Sequence, residues 1–247
     1  MSTRNRGRNR GGKSAFGLLI GISVAAFVVV VGVIALSLVT GSRGSSSEAA
    51  AAYSQLEQFI DTEQFNGAPG FSIGDPEAPV VLVDYSDFSC PACANLAPSI
   101  EELILEEDGY VQSGLVRIVY KPVWFVNPPR SEPAARAGYC AAQQGMFWQY
   151  HEEVWNLFAA SGANAYNEQI LTNRADRVEG LNLQQFESCL TSPAAQQAVQ
   201  SVVDEATSIG VNATPTVYVN GERLQLTQPL TASLESAIEA ALQEVGR

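Results

Sequence analysis

The hydrophobic pattern changes character several times along the 247 residues. Ala15 to Val39 is an uncharged run rich in Val, Ile, Leu and Ala. At roughly 1.5 Å of rise per residue, a helix of that length crosses a hydrocarbon core of about 30 Å with some tilt. The run has no polar face, which argues against a soluble amphipathic helix. Thr40 to Ser47 (TGSRGSSS) is a flexible Gly/Ser linker. Glu48 to Phe65 spaces Tyr53, Leu56, Phe59 and Ile60 near the helical period and predicts a helix, docked on the following domain or serving as a stalk. Pro79 to Tyr85 (PVVLVDY) is a short β-branched run bounded by Gly74-Asp75-Pro76, and predicts a buried strand. Pro91 to Glu107 predicts a helix with a favourable first-position proline and a second, Pro98, expected to kink it. Leu115 to Val123 predicts another strand. Ser131 to Ile209 has helical spacing, with breaks at Gly145, Gly162, Gly180 and Pro193. Thr216 to Val219 and Glu222 to Leu226 flank Asn220-Gly221 as a hairpin with a type I′ turn. A last helix is predicted from Pro229 to Val245.

The resulting order is β-α-β, a helical block, then β-β-α. A strand, a crossover helix and a second strand make a parallel pair, and the hairpin adds antiparallel strands. An α/β architecture follows: a mixed sheet flanked by helices, with a helical insertion.

Charge separates the N-terminus from the rest. Residues 1–47 hold six of the 14 Lys+Arg residues and none of the 26 Asp+Glu. The remainder carries eight bases and all the acids, a net of −18. Arg4, Arg6, Arg8, Arg10 and Lys13 directly precede the apolar run, so the positive-inside rule keeps that end cytoplasmic and sends the rest across the membrane. The rival reading is a cleaved signal peptide, with Ala35-Leu36-Ser37 as a small-x-small site, which would release the domain as a secreted or periplasmic protein. The run is longer than the usual signal core of about 7–15 residues, which favours a single-pass anchor. Either way the domain is exported into a space where disulfides persist. An acidic domain whose one lysine is Lys121 is a poor ligand for nucleic acid. Its size is sufficient to bury a core without staples, and four cysteines are too few for a disulfide scaffold.

Cys90-Pro91-Ala92-Cys93 falls where the first predicted strand ends and the first predicted helix begins. Free N–H groups and the positive end of the helix dipole stabilise a thiolate there. Cys90, at the open end, is the expected nucleophile, and Cys93, one turn further in, the resolving thiol. The alternatives are a structural disulfide, or half of a zinc site completed by Cys140, Cys189 or His151, which are scattered singly rather than paired.

The stretch from Gly74-Asp75-Pro76 through Asp84-Tyr85-Ser86-Asp87-Phe88-Ser89-Cys90-Pro91-Ala92-Cys93 resembles the DsbA-like branch of the thioredoxin superfamily. Ala137-Gly138-Tyr139-Cys140 to Met146-Phe147-Trp148 is similar to the start of that family's helical insertion. Gly210 to Gly221, with Thr214-Pro215, is similar to its cis-proline loop and hairpin. The resemblance implies a thioredoxin fold over 71–247 with an insertion at about 130–209. It is preceded by a basic tail (1–14), an anchor (15–39), and a linker with stalk helix (40–70). It also implies a cis Pro215 that places Thr214 beside the Cys90 sulfur, ready to pair with an extended substrate. Asp84 matches the buried acid that manages the inner thiol's proton. The resemblance further implies a structural disulfide between Cys140 and Cys189. One position departs from it: strongly oxidising members have His where this chain has Ala92, so a weaker lowering of the Cys90 pKa is implied.

The function expected is an extracytoplasmic thiol–disulfide oxidoreductase acting on exported proteins with free thiols. It needs no metal or organic cofactor, is recycled by a membrane quinone-linked oxidase, and works as a monomer. A reductase or isomerase using the same pair, or a redox-inert peptide-binding module, are the alternatives. His151 reads as a helix-surface or core-edge residue. Phe147, Trp148, Trp155 and Phe158 read as core, and Asp87 as a solvated loop acid.

Overall fold

The structure is a computed structural model that describes residues 49, 51–62 and 67–246. Residues 51–55 are helical, but the helix does not continue to Phe65. Instead β1 (Gln58–Asp61) and β2 (Gly70–Ile73) form an antiparallel pair, with Ile60 opposite Phe71. This corrects the expected stalk helix in its second half. Through β2, this pair joins the same sheet as the rest of the domain. Phe59 and Ile60 suit a half-buried edge strand as well as a helix face, and pairing with β2 decides between them.

β3 (Val80–Ser86), α1 (Pro91–Leu105) and β4 (Val116–Pro122) make the expected β-α-β unit, with the strands parallel and Asp84 beside Tyr120. β5 (Thr216–Val219) lies antiparallel on the other side of β3, and β6 (Glu222–Arg223) completes the order β1-β2-β4-β3-β5-β6. Asn220 and Gly221 have φ of 47° and 83°, the left-handed pair that a type I′ turn requires. The second arm is shorter than expected, two residues of strand, although the Leu224 N–H still reaches the Val217 carbonyl at 2.8 Å.

The insertion holds α2 (Pro128–Ala142), α3 (Phe147–Ser161), a 3-10 turn (Ala163–Ala165), α4 (Glu168–Ala175), α5 (Leu183–Leu190) and α6 (Pro193–Ser208). α7 (Leu230–Val245) closes the chain. Pro193 opens α6, whose N-terminus is capped by the Ser192 hydroxyl accepting from the Ala195 N–H. A disulfide joins Cys140 of α2 to Cys189 of α5. Among the described residues no helix is long and apolar enough to cross a membrane. The expected anchor, Ala15 to Val39, lies outside them, as do the basic tail and Thr40 to Ser47.

Alternation along β3 sends neighbours to opposite faces of the sheet. Val83 and Tyr85, with Val119 and Val123, pack against Val202 and Ala206 of α6 and against Val211. On this face a buried cluster ties the sheet to α6. Lys121 Nζ donates to Glu205 Oε2 at 2.9 Å and to the Ala68 carbonyl at 2.9 Å, and the Tyr85 hydroxyl donates to Glu205. Burial pushes the Lys121 ammonium down to about 8 while Glu205 opposes the shift. On the other face, beside Asp84, Tyr120 and Phe88 stack with Phe147, Trp148, His151 and Trp155 of the insertion.

The disulfide closes a segment of 49 residues, so in the chain-entropy picture its loss costs about 2–4 kcal/mol. Replacing both Cys140 and Cys189 by Ser should lower the unfolding free energy measured in urea by that amount. It should leave thiol exchange at the Cys90 motif within about twofold of the wild type.

Candidate active site

The polypeptide reaches the motif through a tight turn. β3 ends at Ser86, and the Cys90 N–H donates to the Asp87 carbonyl at 2.8 Å. Cys90 is the N-cap of α1, with extended backbone at φ −88° and ψ 119° and no side-chain cap. Pro91, at the first helical position, has no N–H to satisfy. The first intrahelical bond runs from the Ala94 N–H to the Cys90 carbonyl at 3.0 Å. The N–H groups left over at the helix start are those of Ala92 and Cys93, and both point at the Cys90 sulfur. Cys90 and Cys93 are buried and carry free thiols, whereas Pro91 and Ala92 are exposed.

The two sulfurs are driven apart in acidity. A hydrogen bond from the Cys93 thiol is the largest cause lowering the Cys90 pKa to about 5. The Thr214 hydroxyl and the two backbone N–H groups add to it, and burial opposes. In its thiol form Cys90 donates to the Thr214 carbonyl at 3.4 Å. Burial is the largest cause raising Cys93, and donation to Cys90 and the nearby Asp84 charge raise it further. One sulfur is therefore a thiolate at neutral pH and the other holds its proton.

Asp84 lies under the motif, 4% exposed, with Oδ1 lacking a hydrogen-bond partner. Burial pushes its carboxyl up to about 7, a Ser86 hydrogen bond opposes, and the Cys90 charge adds to the rise. Ser86 stands two residues along the same strand face and is buried beside the same groups. The inner thiol thus sits beside a buried acid whose carboxyl is pushed up to about 7.

The remaining expected residues divide. Thr214 and Pro215 do adjoin the motif, and the bond between them is cis. Cys140 and Cys189 are bonded to each other and do not join it, so neither completes a zinc site with Cys90 and Cys93. His151 is corrected from a helix-surface or core-edge residue to a core one. It is 1% exposed, accepts from the Trp155 Nε1–H at 2.8 Å, and is pushed down to about 3 by burial alone. Phe147, Trp148 and Trp155 are buried core as expected, while Phe158 is half-buried. Asp87 is also corrected: it is fully buried. Its Oδ1 accepts from the Ser89 N–H at 2.7 Å and its Oδ2 from the Val126 N–H at 2.8 Å. Tyr166, which no sequence motif marks, donates to the Phe88 carbonyl at 3.1 Å and so fixes the same turn from the insertion side. A Tyr about eighty residues away carries no local signal of that contact.

Comparison with known proteins agrees with this geometry. The family model described as "Thioredoxin" matches residues 66–240. "Probable disulfide bond formation protein D" of Bacillus anthracis is 28% identical over 233 residues, covering 93% of this chain and 96% of that protein. The Na(+)/H(+) antiporter NhaA 3 of Salinispora tropica is 32% identical over 156 residues, 61% of this chain but only 21% of that protein. Among solved structures, Chlamydia trachomatis DsbA superposes with a TM-score of 0.59 at 21% identity, over 70% of this chain and 91% of that one. At that identity the likeness is one of fold.

The Asp84 shift has a sign that can be tested. With its folded value near 7, above the ordinary carboxyl range, the native reduced form holds a proton that the unfolded chain releases. Stability from this group is present at pH 4 and lost as pH rises toward 7. Asp84→Asn removes that loss. At pH 8 the reduced variant should exceed the wild type by a few kcal/mol in urea unfolding, and the difference should vanish near pH 4. Equal stabilities at pH 8 would exclude a raised Asp84.

Proposed function

The chain belongs to the thioredoxin family and is a thiol–disulfide oxidoreductase of DsbA type, and from that premise we propose that it forms disulfides in exported proteins. The observation that carries this reading is Cys90 at the start of α1, its acidity raised by the Cys93 thiol, Thr214 and two backbone N–H groups. A thiolate so stabilised favours the reduced form over the disulfide, which makes the Cys90–Cys93 disulfide oxidising.

In the forward direction a substrate thiolate attacks Cys90 Sγ of the oxidised enzyme. The bond to Cys93 breaks, and Cys93 leaves as a thiolate that takes up a proton, with Asp84 as its neighbouring source. The mixed disulfide on Cys90 is then attacked at the substrate sulfur by a second substrate thiolate, and Cys90 leaves. Two thiols of the substrate become one disulfide, and the enzyme gains the two electrons; one proton ends on Cys93, and the other goes to solvent because Cys90 leaves as a thiolate. The low pKa of Cys90 speeds that last departure, because the more acidic thiol is the better leaving group. The backbone of Thr214, next to Cys90, is placed to pair with an extended substrate segment. Exchange of this kind requires no metal, flavin or nucleotide.

The basic tail and apolar run before residue 40 support a single-pass anchor with the N-terminus in the cytoplasm and the catalytic domain outside, or a free exported enzyme if the segment is cleaved. A membrane quinone-linked thiol oxidase is the partner proposed to re-oxidise it. The domain is proposed to act as a monomer.

Cys90→Ser should abolish oxidation of a reduced test protein, and Cys93→Ser should accumulate substrate disulfides on Cys90. The reduction potential of the Cys90–Cys93 pair should lie well above the thioredoxin value of about −270 mV. A potential near that value would replace the oxidase reading with a reductase. Failure to exchange with glutathione would replace it with a binding module.

A further inference from the structure

We propose that Asp87 is a positioning residue that sets the direction of the Ala92 and Cys93 N–H groups facing the Cys90 sulfur and ties the motif to the apolar segment 124–126. It rests on the reading of Cys90 as the nucleophile.

Every polar group of Asp87 is engaged at the site. Its carbonyl accepts from the Cys90 N–H at 2.8 Å, and its own N–H points toward the Cys93 sulfur. Oδ1 accepts from the Ser89 N–H at 2.7 Å and Oδ2 from the Val126 N–H at 2.8 Å. The residue is fully buried, with no exposed surface, so neither carboxylate oxygen has water as an alternative partner. Charge-assisted bonds of this kind are stronger and more directional than neutral ones.

The consequence for Cys90 is geometric. The N–H groups of residues 89 and 90 are both committed to Asp87, and Pro91 has none. The next two N–H groups, on Ala92 and Cys93, are then the ones free to meet the sulfur. If the Ser89 bond is lost, the turn before α1 can rotate and those two donors lose their aim. The second oxygen works outward. Val126 is half exposed, and Trp124 and Phe125 beside it are half-buried. Phe125 packs on the cluster that contains Val211, four residues before Pro215. One side chain therefore holds the nucleophile's turn and an apolar segment on the neighbouring loop in fixed relation.

The two roles separate in two substitutions made in the full-length chain. Asp87→Ala removes both side-chain bonds. Asp87→Asn keeps the shape but has one acceptor, which the local turn to Ser89 should retain, leaving the Val126 N–H facing an amide N–H. For Asp87→Ala, exchange with a two-cysteine peptide should fall at least fivefold at pH 6 and recover toward wild type at pH 9, as Cys90 titrates higher. Absorbance of the thiolate at 240 nm follows that titration directly. For Asp87→Asn, the pH profile should stay that of the wild type, while KM for the peptide rises about fivefold with kcat unchanged. If Asp87→Asn keeps the wild-type KM and profile and only melts earlier, Asp87 is a structural staple and the proposal fails, whether or not Asp87→Ala folds. Exchange of the wild type with glutathione tests the underlying role of Cys90 separately: its absence refutes that role, and its presence leaves the two variants to decide on Asp87.

Discussion

A sulfur anion that is 5% exposed must be met by donors, and this requirement organises the active end of the molecule. The strand-to-helix junction is where the fold has donors to spare, because the first N–H groups of a helix have no partners inside it. β3 delivers Cys90 to that point, the 87–90 turn consumes the N–H groups that would otherwise point elsewhere, and Pro91 removes another. What remains is aimed at the sulfur. The remote loop bearing Thr214 and Pro215 then closes the other side through the pairing of β5 with β3.

The two faces of the sheet do different work around this junction. The inner face behind Asp84 is walled by aromatic rings from the insertion. His151 among them is held neutral by burial and contributes packing rather than charge. That wall keeps Asp84 and Cys93 out of water and so raises both. The opposite face carries the Lys121–Glu205–Tyr85 cluster, which locks α6 to the sheet just before the chain turns into the Thr214 loop. The disulfide between Cys140 and Cys189 strengthens the insertion without touching either face's chemistry.

Local signals carried most of this into the sequence. The type I′ turn needs residues that tolerate positive φ, and Asn220-Gly221 announces it. Helix breaks at Gly145, Gly162 and Gly180, each with positive φ, are legible for the same reason. The CxxC at a strand end is legible because strand, proline and spacing are all local. Contacts between distant segments are not. Phe59 and Ile60 satisfy both a helix and a strand until β2 is known to lie beside them. Asp87 reads as solvated because its partner, the Val126 N–H, is thirty-nine residues away and belongs to the backbone, which leaves no trace in residue type. Polarity of a side chain predicts exposure only when no buried donor awaits it.

Ala92 shows why the same distinction matters for the chemistry. Its methyl group cannot donate to a thiolate, and a His at that position can, so a smaller lowering of the Cys90 pKa than in strongly oxidising members is implied. The thiolate is nevertheless stabilised, because the contributions come from the Cys93 thiol, the Thr214 hydroxyl and backbone N–H groups, Ala92's own among them. Backbone donors cost no side-chain entropy to hold and do not titrate. A His acts as a cation only while it is protonated, so its help fades above its own pKa. A site built from backbone and thiol donors keeps its aim across the whole neutral range. Its acidity rests first on the Cys93 thiol and then on Thr214 and two backbone N–H groups, none of which needs a side chain at position 92.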